Sequence, residues 1–243
     1  MPLERLDKIL VSQNAGSRKE VQQLIRGGRV TLDGRTVKKP ETKADPEQSS
    51  ITVDGAALLF KRRLYLMMNK PKGVVSASRD SAMKTVLDLL PGELCRRGLF
   101  PAGRLDRDTE GLLIITDDGD FAHRMLSPKQ HVYKLYHAVV DGPVSQREID
   151  AFSQGVEFSD GTKCLPAELS VIIPGEEPLV GVRICEGKFH QVKKMFLAVG
   201  RRVLSLKRVK IGSLSLDNSL LPGQARELTG EELEMIFERQ QIE

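Results

Sequence analysis

In the middle of this chain of 243 residues, a dense charge cluster runs straight into an apolar strand. Arg104-Leu105-Asp106-Arg107-Asp108-Thr109-Glu110 follows Gly103. It leads into Gly111-Leu112-Leu113-Ile114-Ile115, and Thr116-Asp117-Asp118-Gly119 comes next. A short apolar run closed by Asp, Asp and Gly predicts a buried strand and a tight turn. The cluster then falls in a loop or at the strand's end, where a rigid support holds side chains that still reach a ligand. Arg104 and Arg107 bracket Asp106. Nearby cations favour the charged form of a carboxylate, so Asp106 reads as a nucleophile or a charge partner, not as an acid. A solvated turn of mixed charge is the plain alternative, because structural ion pairs are common.

The length suits one large or two modest domains with a proper core. A hydrophobic content of 40% and a charged content of 29% are those of a soluble globular protein. No stretch approaches the ~18 uninterrupted apolar residues of a membrane span. Met-Pro-Leu-Glu-Arg at the start has no apolar signal region, which predicts a cytoplasmic protein. Cys95, Cys164 and Cys185 are widely spaced, as reduced thiols would be, and do not outline a disulfide frame or a zinc site.

Net charge is only +4, but its distribution is uneven. From Lys188 to Lys210 there are eight Lys or Arg and no acid; from Arg226 to Glu243 there are six acids against two bases. A basic stretch of that length predicts a polyanionic partner, with a solvated helix face as the alternative. Trp is absent and aromatics are 5% of the chain, so base stacking on aromatic platforms is not expected to be the main binding mode.

Residues 1–60 read as a small module. Leu6, Ile9 and Leu10 share one helical stripe, and Asn14-Ala15-Gly16 ends that helix. Ser17 with Glu20 forms a capping box that opens a second helix, with Val21, Leu24 and Ile25 inward and a stop at Gly27-Gly28. Strands around Arg29–Leu32 and Arg35–Val37 flank Asp33-Gly34, the strongest short hairpin signal. Ile51–Val53 and Asp54-Gly55 add a strand and a turn. Arg5, Lys8, Arg18, Lys19, Arg26 and Arg29 lie on the helices and their exits, where they could follow phosphates without reading sequence. Arg5–Leu10, Gly16-Ser17-Arg18 and Ile25–Val30 resemble the S-four RNA-binding domain. Phe60–Arg63 reads as a flexible linker.

Residues 64–243 read as a second domain. Leu64–Met68 is an apolar strand, Asn69–Gly73 a turn, and Thr85–Leu90 a short helix. Asp120–Leu126 predicts a helix, Tyr133–Val140 a strand, and Ser145 with Glu148 another capping box. Ala167–Ile173 and Leu179–Cys185 suggest a hairpin. A helix begins within Glu186–Phe196, with Val192, Met195 and Phe196 inward, and stops at Gly200. A basic-edged strand follows, and a helix from Glu231 completes the domain. Short connections between strands predict an α+β domain with a mixed, mostly antiparallel sheet.

The stretch from Phe100 to Leu113, with Thr116–Gly119, closely resembles the catalytic-aspartate motif of RsuA/RluB-type pseudouridine synthases. Asn69-Lys70-Pro71-Lys72-Gly73 resembles that family's first motif, Lys134-x-Tyr136 its second active-site element, and Glu186-Gly187-x-x-His190-Gln191-x-Lys193-Lys194-Met195 its third. The resemblance covers nearly the whole chain. It implies isomerisation of a uridine in ribosomal RNA, with Asp106 as nucleophile, Lys193 as its basic partner and Tyr136 packed on the target uracil. Arg104 would lie beside the space the flipped base vacates. Lys70, His190 and Lys194 within the motifs, and Arg201, Arg202, Lys207 and Arg208 beyond them, are the further candidate RNA contacts. Asp108 is the rival carboxylate, and its place after Arg107 suits an ion pair.

No metal or cofactor is implied. His131 and His137 have no metal-ligand spacing around them, and neither a dinucleotide fingerprint nor a P-loop occurs. Leu126-Ser127-Pro128, His131-Val132-x-Lys134 and Leu165-Pro166-Ala167-x-Leu169 look more like the small-subunit (16S) branch of the family. The expected partner is therefore ribosomal RNA or an assembling small subunit, met by a monomer. A large-subunit (23S) synthase and a non-catalytic S-four-type rRNA binder are the alternatives.

Overall fold

A computed structural model describes residues 3–238. The chain divides into two units, Met1–Leu64 with Pro91–Leu99, and Tyr65–Leu90 with Phe100–Glu243.

In the first unit Glu4–Arg5 (β1) precedes two helices, Leu6–Ser12 (α1) and Arg18–Arg26 (α2). The capping box at the start of α2 forms: Ser17 N donates to Glu20 Oε2 at 2.8 Å, and Glu20 N to Ser17 Oγ at 3.4 Å. Strands Val30–Leu32 (β2), Arg35–Val37 (β3), Lys43–Ala44 (β4), Ile51–Val53 (β5) and Ala56–Ala57 (β6) follow. Asp33 and Gly34 take φ of 51° and 77°, the left-handed pair that a two-residue hairpin turn requires. Leu6, Ile9, Leu10, Val21, Ile25 and Val30 are fully buried between the helices and the sheet β3-β2-β5-β6. Pro91–Leu99 belongs here through long-range bonds. Asn14 Nδ2 donates to Gly92 O at 2.9 Å, and Arg96 donates to Lys61 O at 2.7 Å and Arg62 O at 3.0 Å.

The second unit is built on one nine-stranded sheet. Its strands are Tyr65–Lys70 (β7), Phe100–Ala102 (β8), Glu110–Thr116 (β9), Lys134–Val140 (β10), Glu168–Ile173 (β11), Leu179–Ile184 (β12), Val203–Ile211 (β13), Leu214–Ser215 (β14) and Ala225–Glu227 (β15). The order is β11-β12-β10-β13-β9-β7-β15, with β14 on β13 and β8 on β9. This is the expected mixed sheet. The ladders are antiparallel except for β9 with β13, which pair in parallel at Glu110 with Lys207 and Gly111 with Arg208. The helices are Gly119–Leu126 (α3), Gln146–Gln154 (α4), Gln191–Ala198 (α5) and Gly230–Met235 (α6). Leu112 to Ile115 are fully buried, as their unbroken apolar run predicts for a strand covered on both faces. Met67, Phe121 and Met125 pack against that strand's face.

Two local expectations change. Strand β7 runs on to Lys70, which pairs with Gly111, so the turn is confined to Pro71–Gly73. Thr85–Leu90 holds a 3-10 turn at Leu87–Leu89, begun by Asp88, whose carboxylate accepts from Thr85 N and Oγ1. The sequence beyond residue 238, including the end of the acidic stretch, lies outside the described residues.

The parallel joint constrains Gly111. Its φ is +103°, and a Cβ there would stand 2.2 Å from Arg208 O and 2.9 Å from Arg208 N. Backbone on both sides of the clash leaves nothing flexible to give way. Gly111→Ala is expected to cost more than about 2 kcal/mol in chemical denaturation. Gly119→Ala, where a Cβ meets nothing within 4 Å, is expected to stay within about 0.5 kcal/mol.

Candidate active site

The loop 103–109 joins β8 to β9, and its backbone is fixed from beneath. Lys70 ends β7 with its side chain fully buried. Its ammonium donates to Asp106 O and Thr109 O at 2.9 Å each and to Pro71 O at 3.0 Å, and Arg107 O lies at 3.4 Å. Burial pulls this ammonium's pKa down to about 8, against the pull of Asp106, Asp108 and Glu110. Lys70 is thus an internal clamp and not an RNA contact. Because β7 continues to residue 70, its side chain enters the interior instead of a surface turn. Ser76 Oγ closes the loop from another side, donating to Leu105 O at 2.9 Å and accepting from Leu105 N at 3.1 Å. Gly73 N donates to Arg107 O at 2.8 Å.

With its backbone held, Asp106 turns a quarter-exposed carboxylate outward. Lys193 Nζ stands 2.9 Å from Asp106 Oδ2 and 2.5 Å from Asp108 Oδ1. Partial burial lowers the Lys193 pKa, but the hydrogen bonds and charges of the two aspartates outweigh it, and the net shift is upward. The same hydrogen bond holds Asp108 below the usual carboxylate range. The ion pair foreseen for Asp108 forms with Lys193, not Arg107; Arg107 is exposed, its Nη1 3.8 Å from Met83 Sδ. The cations on Asp106 are also not the arginines that bracket it in sequence. They are Lys193 and, when protonated, His190, whose Nε2 lies 3.5 Å away.

Helix α5 supplies Lys193 because Val192, Met195 and Phe196 face the core. The helix begins later than Glu186, since Glu186–His190 is a loop that bonds to itself. Buried Gln191 donates to Glu186 Oε1 at 2.8 Å and accepts from Lys188 N at 2.8 Å. Glu186 also accepts from Leu165 N at 2.9 Å and pairs closely with Lys188. His190 caps the helix at a left-handed φ of 54°.

Across from this loop, β10 and β13 set Tyr136 beside Arg208. Arg208 Nε donates to Leu112 O at 2.7 Å and Nη1 to Tyr136 Oη at 3.4 Å, while Nη2 finds no hydrogen-bond partner among the described residues. Arg208 is buried, so it is not a surface phosphate contact: strand alternation turns 206 and 208 inward and 207 outward. Lys134 is buried too and donates to Met125 O at 3.1 Å. Burial, then the charge of Arg208, brings its pKa to about 8.

These groups enclose a cavity of about 710 Å³, lined by Arg104, Asp106, Lys134, Tyr136, His190 and Arg208 among others. Lys193 lines a smaller recess beside Asp106. Lys194 lies 3.9 Å from Asp160, Arg201 Nε donates to Pro143 O at 3.0 Å, and Arg202 and Lys207 are exposed. In the first unit Asp7 holds Arg5 through two bonds of 3.0 and 2.8 Å, and Asp54 holds Arg29 through two of 2.6 and 2.5 Å. Lys8, Arg18, Lys19 and Arg26 are exposed. Ser76 and Gln191 are supporting residues that the sequence reading gave no role. A serine after two valines carries no local signal; Gln191 lies inside a quoted motif, where its spacing from Glu186 was the available sign.

The family model described as RNA pseudouridylate synthase matches residues 64–198, and the S4 domain model matches residues 4–49. A Bacillus subtilis protein named as an uncharacterized RNA pseudouridine synthase is 45% identical over 237 residues, covering 97% of this chain and 99% of that protein. The Escherichia coli ribosomal small subunit pseudouridine synthase A is 42% identical over 233 residues, 94% of this chain and 98% of that one. A crystal structure of a pseudouridylate synthase, 34% identical, superposes with a TM-score of 0.66 and covers 96% of this chain and 99% of its own. Matched by that family model and by relatives over nearly their whole length, the chain belongs to the RNA pseudouridylate synthase family.

Proposed function

We propose that this chain isomerises a uridine of small-subunit ribosomal RNA to pseudouridine, with Asp106 as the nucleophile. The observation that carries the reading is the Asp106 carboxylate itself. Lys193 holds it on one side, and on the other it faces a cavity roomy enough for a nucleotide. The 42% identity to small-subunit synthases supports the choice of RNA.

The reaction conserves atoms and oxidation state. The bond from N1 of uracil to C1′ of the sugar breaks, the ring turns, and C5 bonds to C1′. The proton on C5 leaves and N1 gains one. Asp106 forms a transient covalent bond during this exchange, at the sugar or at the ring, and is displaced before the product departs. A nucleophile of this kind divides one difficult step into two easier ones. Lys193 orients the carboxylate, and Tyr136 packs on the base with its hydroxyl set by Arg208 to pass the C5 proton. Arg104 stands at the cavity wall where the flipped base leaves its stack. Extracting the base costs a few kcal/mol, which phosphate contacts by the exposed cations of the first unit help to offset. On this reading the enzyme is a cytoplasmic monomer that meets rRNA or an assembling small subunit.

Asp106→Asn is expected to cut tritium release from C5-labelled small-subunit rRNA by at least about a thousandfold, with RNA affinity kept within a few-fold. Asp108→Asn, which removes only the outer partner of Lys193, should lose less than about tenfold. Equal losses would assign the chemistry to the wrong carboxylate, and wild type inert on naked RNA and on particles alike would leave a non-catalytic RNA binder.

Lys70→Met strands buried carbonyls under the loop. It should lower unfolding free energy by about 2–4 kcal/mol as well as kcat, whereas Asp106→Asn lowers kcat alone. Replacing Arg18, Lys19 and Arg26 together with Ala should weaken rRNA binding and flatten its salt slope by about 2 to 3, with kcat at saturating RNA retained.

A further inference from the structure

Phe189 stands at the mouth of the cavity with 69% of its surface exposed. A lone apolar side chain in water needs no special account, but this one is built into the site. Its ring lies flat on that of His190, with centroids 3.8 Å apart and planes at 19°. His190 Nε2 in turn lies 3.5 Å from Asp106 Oδ1. The two rings therefore form a short stack that starts beside the carboxylate and ends in solvent. His190 keeps a φ of 54°, a conformation that residues with a Cβ hold only when their surroundings impose it. The bonds among Glu186, Lys188 and Gln191 impose it here. One cation stands beside the Phe189 ring: Lys194 Nζ lies 5.5 Å from its centre, and 3.9 Å from the exposed carboxylate of Asp160.

We propose that Phe189 is a stacking platform for the unpaired base next to the uridine that enters the cavity. This rests on the proposed function above. When a base leaves its stack, its neighbour loses a stacking partner. An aromatic face can replace that partner whatever the neighbour's identity, because every base presents a π-face. An exposed ring with the Lys194 ammonium beside it suits a nucleotide, whose phosphate that group can meet, better than a lipid or an apolar peptide. The scarcity of aromatic residues argued against stacking as the main binding mode, and it still does. A single platform needs only a single ring, placed where the flipped nucleotide leaves a gap.

The test is steady-state tritium release from C5-labelled 16S rRNA transcript by the full chain, comparing wild type with Phe189→Ala, Phe189→Leu and Phe189→Tyr. Thermal unfolding of each variant serves as the fold control; an exposed side chain should leave it unchanged. The Ala and Leu variants are expected to raise KM between about 5-fold and 150-fold, the range of 1–3 kcal/mol for one stacked base, with a much smaller change in kcat. Tyr should restore KM to within about twofold. A Leu variant equal to wild type would show that apolar bulk, not a π-face, is what matters, and an Ala variant equal to wild type would show that the ring contributes nothing; either overturns the platform. Wild type that releases no tritium from this transcript or from labelled small-subunit particles overturns the synthase reading instead, and a Kd for the same transcript unchanged in Phe189→Ala would then remove the platform as a binding element as well.

Discussion

One buried ammonium, that of Lys70, holds the Asp106 loop together. Enclosing a charge is costly unless hydrogen bonds replace its water, and here backbone carbonyls of residues 71, 106, 107 and 109 replace it. Desolvation is the largest influence on this group, and three nearby carboxylates oppose it. The arrangement is reciprocal. The loop supplies the acceptors that let the lysine stay charged inside, and the lysine gives the loop a shape that its own sequence, rich in charge and poor in apolar residues, could not fix. Asp106 can then be aimed without being gripped. Its backbone carbonyl is committed to Lys70, and its carboxylate is shared between Lys193 and the cavity.

Two aspartates share Lys193, and exposure separates them. The Asp108 side chain is 70% exposed and that of Asp106 is 25% exposed. Coulombic attraction is screened far more strongly in water than in a partly closed cleft, so the two contacts differ in worth despite their similar lengths. Asp108 keeps Lys193 charged and steers its ammonium from outside. Asp106 meets the same ammonium at the wall of the cavity. Only the inner carboxylate lines the cavity, and that placement distinguishes the two.

Local rules made much of the fold legible. The capping box at Ser17, the left-handed turn at Asp33-Gly34 and the apolar run at Leu112–Ile115 each depend on a few adjacent residues, and each appears where expected. What local rules could not supply came from distance. Lys70 looked like a turn residue because the apolar run stops at Met68 and Pro71 follows, yet pairing with Gly111 carries the strand two residues further. Arg104 and Arg107 looked like the partners of Asp106 because they flank it, whereas the cation that reaches it comes from α5. Pro91–Leu99 carries no mark of the unit it packs with; its bonds reach residues 14, 61 and 62. Arg208 was within reach of the sequence, since alternation along its strand turns 206 and 208 the same way, but the density of positive charge from 188 to 210 made the whole stretch read as surface.

The sheet explains why such distant residues converge. Most of its ladders are antiparallel, and three of them join strands consecutive in sequence. The parallel contact of β9 with β13 does not, because strands joined that way need a long crossover, and here residues 117–202 supply it. That crossover contains β10 with Tyr136 and α5 with Lys193. When β13 comes in beside Gly111, it places Arg208 against the carbonyl of Leu112 and the hydroxyl of Tyr136. The helix just before β13 is brought to the start of β9, where the Asp106 loop ends. A two-residue parallel joint, permitted by a glycine with no side chain in the way, thus gathers Asp106, Lys193 and Tyr136. The strength of the joint lies less in its few hydrogen bonds than in the buried residues on either side, so the site inherits the rigidity of the core without being enclosed by it.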